Sequence, residues 1–175
     1  MNNEKIILRK NLLKIRNSLS LYRRAISEIK AKQIASLDFE NILSFSSKAK
    51  EINLWSLNKK LAIQNRLILP KVVNSNLKAY KVKNFEIDLI KGPFNILEPN
   101  EKTCREVSID NIPCILVPGL GFDSQNYRIG YGKGYYDRFL VNKNATYLGV
   151  GFLEQYIEKL PIENHDIKLD HLFLF

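Results

Sequence analysis

Apolar residues recur with helical spacing near the start of the chain. In KIILRKNLLKIRNSL, residues 5–19, Ile6, Ile7, Leu12, Leu13 and Leu19 leave one face for a core and predict a first helix. Ser20 stands where a cap belongs, and a second helix is expected from about Leu21, with Ala25, Ile26 and Ile29 as its inner stripe. No Pro or Gly interrupts residues 1–50. The pattern then shortens. EINLWSL (residues 51–57) and RLILPKVV (residues 66–73) are candidate strands, the second with Pro70 near its end, and AYKVKNF is a third. GPFNILEPN (residues 92–100) has turn residues at both ends and predicts a loop. PCILVPGLGF (residues 113–122) is apolar almost throughout, as a strand buried on both faces would be. A helix is expected over residues 135–141, a second buried strand over residues 145–152, and a short helix in LEQYIEKL. Two helices followed by strands interleaved with helices predict an α/β fold: a single three-layer domain over residues 1–175, with a largely parallel central sheet flanked by helices.

Composition narrows the classes. The 175 residues are 45% apolar and 26% charged, the balance of an ordinary globular protein. No apolar run approaches the ~20 residues that span a bilayer, and the first residues lack the unbroken apolar stretch of a signal peptide. A cytoplasmic protein with no membrane partner is expected. Cys104 and Cys114 form no CxxC pair and only two histidines accompany them, which argues against zinc and for two reduced thiols. The net charge of +9 comes from scattered lysines such as Lys48, Lys59, Lys60, Lys71 and Lys78. Scatter describes a solvated surface, and no clustered basic and aromatic motif points to nucleic acid.

Seven of the eight glycines lie between residues 119 and 151. They culminate in RIGYGKGYYDRF, residues 128–139, where Gly130, Gly132 and Gly134 alternate. A buried strand, a glycine loop and a helix start present free N–H groups to an anion. Lys133 inside the loop and Arg128 at its entrance supply positive charge, and Asp137 could hold Mg²⁺ through one oxygen. The spacing is neither GxxxxGK[ST] nor GxGxxG. On these residues alone, a tight strand-to-helix turn with Tyr135 and Tyr136 in the core also remains open.

The wider string LVPGLGFDSQNYRIGYGKGYYDRFL, residues 116–140, resembles the signature of the 5-formyltetrahydrofolate cyclo-ligase (5,10-methenyltetrahydrofolate synthetase) family, roughly VPGLAFD-x-x-G-x-R-x-G-x-G-x-G-YYDR. GPFNILEP, Gln155, LPIENHDIKLD and the Lys5, Leu8, Arg9 trio extend the likeness over most of the chain. The resemblance implies an ATP- and Mg²⁺-dependent ligase that closes 5-formyltetrahydrofolate into 5,10-methenyltetrahydrofolate through a phosphorylated formyl group, releasing ADP and phosphate. It implies ATP contacts from Lys5 and Arg9, and a nucleotide loop of Arg128, Ile129, Gly130, Tyr131, Gly132, Lys133, Gly134, Tyr135 and Tyr136. Lys133, supported by Arg128, would neutralise the transferring phosphate, and Asp137 and Asp166 would hold Mg²⁺. The folate would lie along Tyr131, Gly132, Lys133, Gly134 and Tyr135, with Trp55 and Phe94 as walls. The expected partner is thus a small folate, and the expected state a monomer.

Two places depart from the family pattern. Asn126 stands where the family has Gly, at a position that needs a left-handed backbone, which Asn tolerates. After the strand ending in LWS the family carries a Glu-x-Asp/Glu-Thr segment that leads into a helix and places its glutamate at the folate. Here no Glu or Asp occurs from Ile52 to Phe85, and only nine residues, 57–65, separate the candidate strands. A parallel crossover usually takes a dozen or more. The expectation is a helix reduced to about one turn or a local change of topology. It leaves a second reading, a relative that binds nucleotide but has lost folate turnover.

Overall fold

A computed structural model of the chain describes residues 3–141 and 143–175, with the side chain of Phe94 outside the description. Helix α1 (Asn3–Ser18) and helix α2 (Leu21–Ala31) form where the periodicity predicts, and the Ser20 hydroxyl caps α2 by accepting from the Arg23 amide. Their inward faces differ from the expected ones. On α1 the buried residues are Lys5, Leu12 and Arg16, while Ile7 is 56% exposed. On α2 they are Ser27 and Ala31, while Ile29 is 64% exposed. α1 turns a partly charged face inward and α2 a small, partly polar one, because each borders polar groups of the fold: Lys5 meets Asp166, and the Ser27 hydroxyl donates to the Phe175 carbonyl.

Strand β1 (Ile42–Leu43) precedes helix α3 (Trp55–Ile63), which occupies the place read from sequence as a strand over residues 51–57. Leu54, Leu57 and Leu61 are fully buried. Their spacing of three and four is helical, and the Asn53 side chain accepts from the Trp55 amide at the helix start. Strand β2 (Leu67–Val73) then pairs parallel with β1. The crossover runs from Leu43 to Leu67 with a full helix inside it, so the topology is not shortened.

β2 turns into β3 (Asn76–Lys81) through Asn74 and Ser75, both at positive φ, in an antiparallel hairpin. A short helix α4 (Phe85–Asp88) leads to β4 (Leu89–Lys91), which pairs with β5 (Leu97–Pro99), so part of the expected loop 92–100 is strand. β6 (Glu106–Val107) closes one edge of the main sheet. The apolar run 113–122 divides into β7 (Cys114–Pro118) and β8 (Gly121–Asp123); β9 (Arg128–Ile129) pairs with β8. Helix α5 (Tyr135–Leu140) and strand β10 (Thr146–Gly151) follow. LEQYIEKL forms a 3-10 turn and strand β11 (Tyr156–Ile157) beside β8 rather than a helix, and β12 (His171–Leu174) adds an edge strand beside β10.

The seven-stranded sheet has the order β12-β10-β7-β1-β2-β3-β6, parallel from β12 through β2, as expected for a largely parallel α/β sheet. Alternate residues of its strands feed two cores. Ile42, Leu67, Leu69, Leu116, Leu148 and Val150 meet α2 and α3 on one side. Leu43, Ile68, Ile115, Val117 and Tyr147 meet Leu140 of α5 on the other. α1 joins through a third cluster, in which Leu12 packs with Leu120, Ile129 and Leu160. A Cβ at Gly121 would stand 2.6 Å from Leu12 Cδ1, so the glycine allows α1 its close approach. Among the described residues no helix is long and apolar enough to cross a membrane.

Candidate active site

A cleft of about 550 Å³ opens beyond the carboxyl ends of β1 and β7, where open α/β sheets bind ligands. Its walls combine Lys5 and Arg9 of α1, Phe45, Ser46, Lys48 and Glu51 of the segment after β1, and the whole run Arg128–Asp137. Glu163, His165 and Asp166 close one end, and Pro70, Lys71, Ile96 and Glu98 line the side.

The glycine loop owes its path to local chemistry. Asp123 is fully buried, and its carboxylate accepts from the amides of Gln125, Tyr127 and Leu160. Asn126 adopts the expected left-handed conformation, with φ of 65°. Its side-chain amide donates to the Asp170 carbonyl at 3.0 Å, a tie that glycine could not make. Gly132 and Gly134 also lie at positive φ, 87° and 65°. A Cβ at Gly130 would meet nothing within 4 Å, so the loop backbone there faces open space.

Charges converge on this loop. The Arg9 Nε donates to the Gly130 carbonyl at 2.9 Å. The Arg128 guanidinium is buried, donates to Asp137 Oδ1 at 3.0 Å and leaves its Nε without a partner. Lys5 Nζ lies 2.7 Å from Asp166 Oδ2 and 3.2 Å from a Glu163 oxygen. Glu163, His165 and Asp166 each offer one ligand atom within 4.8 Å of the others. Burial pushes the Tyr131 hydroxyl and the Glu98 carboxyl above their ordinary values. It pushes Tyr136 up strongly, so that phenol stays protonated as a wall of the site.

The fold thus brings together Lys5, Arg9, Arg128, Lys133, Asp137, Asp166 and the aromatic and glycine residues of the loop. Trp55 is not among the residues lining the cleft; it packs edge-on against Phe85, with ring centroids 5.5 Å apart. The side chain of Phe94 lies outside the described residues. Glu51, overlooked in the sequence as the first residue of a strand, stands in the cleft. Its Oε1 is 3.3 Å from the Tyr131 hydroxyl. The segment Glu51-Ile52-Asn53-Leu54 leads into α3, so an acid does precede the helix. The leucine spacing of α3, together with Asn53 just before it, was the signal that could have placed it.

A model of the 5-formyltetrahydrofolate cyclo-ligase family matches residues 1–174. The chain is 38% identical to a mouse 5-formyltetrahydrofolate cyclo-ligase over 97 residues, half of this chain and 47% of that protein. It is 33% identical to one from Mycoplasma pneumoniae over 109 residues, 61% of this chain and 54% of that protein. The matched stretches therefore span about half the length of these relatives. The solved structure of Aquifex aeolicus 5,10-methenyltetrahydrofolate synthetase superimposes with a TM-score of 0.85 at 35% identity, covering 96% of this chain and 88% of that one.

Proposed function

This chain belongs to the 5-formyltetrahydrofolate cyclo-ligase family, and from that membership we propose that it closes 5-formyltetrahydrofolate to 5,10-methenyltetrahydrofolate at the expense of ATP. The observation that carries the reading is one cleft shared by the cationic glycine loop and a carboxylate, Glu51. The formyl oxygen takes the terminal phosphoryl group of ATP, giving ADP. The secondary amine of the same folate attacks the activated carbon and gives up its proton to the departing phosphate, which leaves with that oxygen as the ring closes. Both reacting groups belong to one substrate, so holding them in place supplies much of the acceleration. Phosphoryl transfer asks mainly for alignment and charge neutralisation.

The roles follow position. Lys5 and Arg9 reach the nucleotide from α1, and the backbone from Ile129 to Tyr136 cradles its phosphates. Lys133, backed by Arg128, neutralises the charge that develops on the transferring group. The folate lies along Tyr131 to Tyr135 opposite Glu51, with Pro93 and Ile96 beside it in place of Trp55. Glu163 and Asp166, clustered with His165, offer oxygens that would suit Mg²⁺, and Asp137, held by Arg128 on the wall of the same cleft, would add a further one. When bound, that ion supplies countercharge to the phosphates. The protein is taken as one cytoplasmic domain acting as a monomer. The other reading, nucleotide binding without folate turnover, rested on a missing acidic segment, and Glu51 in the cleft favours turnover over it.

The test mixes protein, MgATP and 5-formyltetrahydrofolate and follows methenyltetrahydrofolate by its near-ultraviolet absorbance. An ATP-dependent rise, largely lost in Lys133→Ala at unchanged melting temperature, is expected. ATP binding without any rise would favour the second reading.

A further inference from the structure

Arg16 is a charge that the site described above does not use. It sits on α1 in register with Lys5, Arg9 and Leu12, yet it is only 3% exposed. Its Nη2 donates to the Tyr131 hydroxyl at 2.5 Å, and its Nη1 stands 3.8 Å from Glu51 Oε1. Nε and Nη1 have no hydrogen-bond partner. A second cation, Arg24, lies close by and donates to the Arg16 carbonyl. Its pKa is lowered by burial first and by Arg16 second.

This arrangement is costly for folding alone. A buried guanidinium with unpaired N–H groups beside another cation loses solvation that its contacts do not restore. A leucine at this position of α1 would bury without that cost. Among the described residues, the anion paired with Arg16 is Glu51. The gap at 3.8 Å exceeds a hydrogen bond by roughly 1 Å. A small rotation of the carboxylate would close it. Tyr131 bridges the pair, accepting from Arg16 and donating to Glu51. Because burial raises its pKa, the hydroxyl remains a donor.

We propose that Arg16 is a positioning residue: it aims the Glu51 carboxylate into the cleft and, through the Tyr131 hydroxyl, ties that carboxylate to the glycine loop, so that the folate and nucleotide sides of the site keep register. The inference rests on the cyclo-ligase reading and adds to it a residue that touches neither substrate.

The test compares wild type with Arg16→Met, Arg16→Lys, Glu51→Gln and the Arg16→Met/Glu51→Gln double variant, each first checked for a cooperative thermal melt. Arg16→Met is expected to raise KM for 5-formyltetrahydrofolate about tenfold while kcat stays within about threefold, and Arg16→Lys to restore most of the loss. In the Glu51→Gln background the same change should add less than about twofold, because coupled residues are not additive. A lowered melting temperature with KM unchanged would make Arg16 purely structural and overturn the proposal. So would an equal tenfold effect in both backgrounds. If wild type forms no product, the proposed reaction fails by itself. The same cycle is then read as calorimetric Kd for 5-formyltetrahydrofolate, and absence of wild-type binding overturns both.

Discussion

Arg9 of α1 donates from Nε to the main-chain carbonyl of Gly130, 121 residues away in the chain, at 2.9 Å. Its guanidinium carbon also stands 3.3 Å from where a Cβ at Gly132 would lie. The first helix therefore braces the loop, and a side chain at Gly132 would press on Arg9.

Removing either side of this contact should loosen the proposed nucleotide site. Arg9→Ala is expected to raise KM for ATP by about tenfold or more, the loss of one charge-assisted contact. Gly132→Ala should do the same for a different reason, since φ of 87° strains any side chain. Steady-state kinetics with ATP varied at saturating folate checks both. An unchanged KM for ATP in Arg9→Ala would separate α1 from nucleotide binding.

Asp137 is already engaged by Arg128 through one oxygen at 3.0 Å. Asp137→Asn keeps an acceptor for Arg128 but removes the negative charge. The expected outcome is a severalfold higher Mg²⁺ concentration for half-maximal rate, with little change in melting temperature. A titration of rate against Mg²⁺ decides it; an unchanged midpoint would leave Asp137 as the partner of Arg128 only.

Leu61 is fully buried in α3 against the sheet. Leu61→Ala should cost about 2–5 kcal/mol, the range for truncating a closely packed leucine. Urea unfolding followed by circular dichroism measures it. The corresponding change at Ile63, which is 87% exposed, should stay within about 0.5 kcal/mol.

Burial raises the pKa of Glu98, with Lys71 and Lys48 pulling the other way. A carboxyl raised in the fold favours the folded state while protonated, and that contribution is lost as pH rises through the folded pKa. Glu98→Gln, neutral at every pH, should therefore melt above wild type at pH 7, by about 1–2 °C for a few tenths of a kcal/mol. The gap should close as pH falls toward 4, near the ordinary glutamate value. Melting curves across that range suffice, and a gap that widens toward acid would reverse the assignment.

Much of this molecule was legible in its residues. The all-apolar run at Cys114–Pro118 dictated a strand buried on both faces, and the alternating glycines before Tyr135 dictated a loop at a helix start, because both are consequences of local composition. Asn126 at positive φ follows from the same local logic. What the tertiary structure decided were contacts across long separations. EINLWSL is compatible with strand or helix, and only the packing of Leu54, Leu57 and Leu61 against the sheet made it a loop and a helix. That choice carried Glu51 into the cleft. Ile7 satisfied helical periodicity yet faces solvent, while Lys5 and Arg16 of the same helix are buried, because the partners that select that face are Asp166, Tyr131 and Glu51. Local sequence sets the period of a helix, but which face turns inward depends on groups that only the fold brings near.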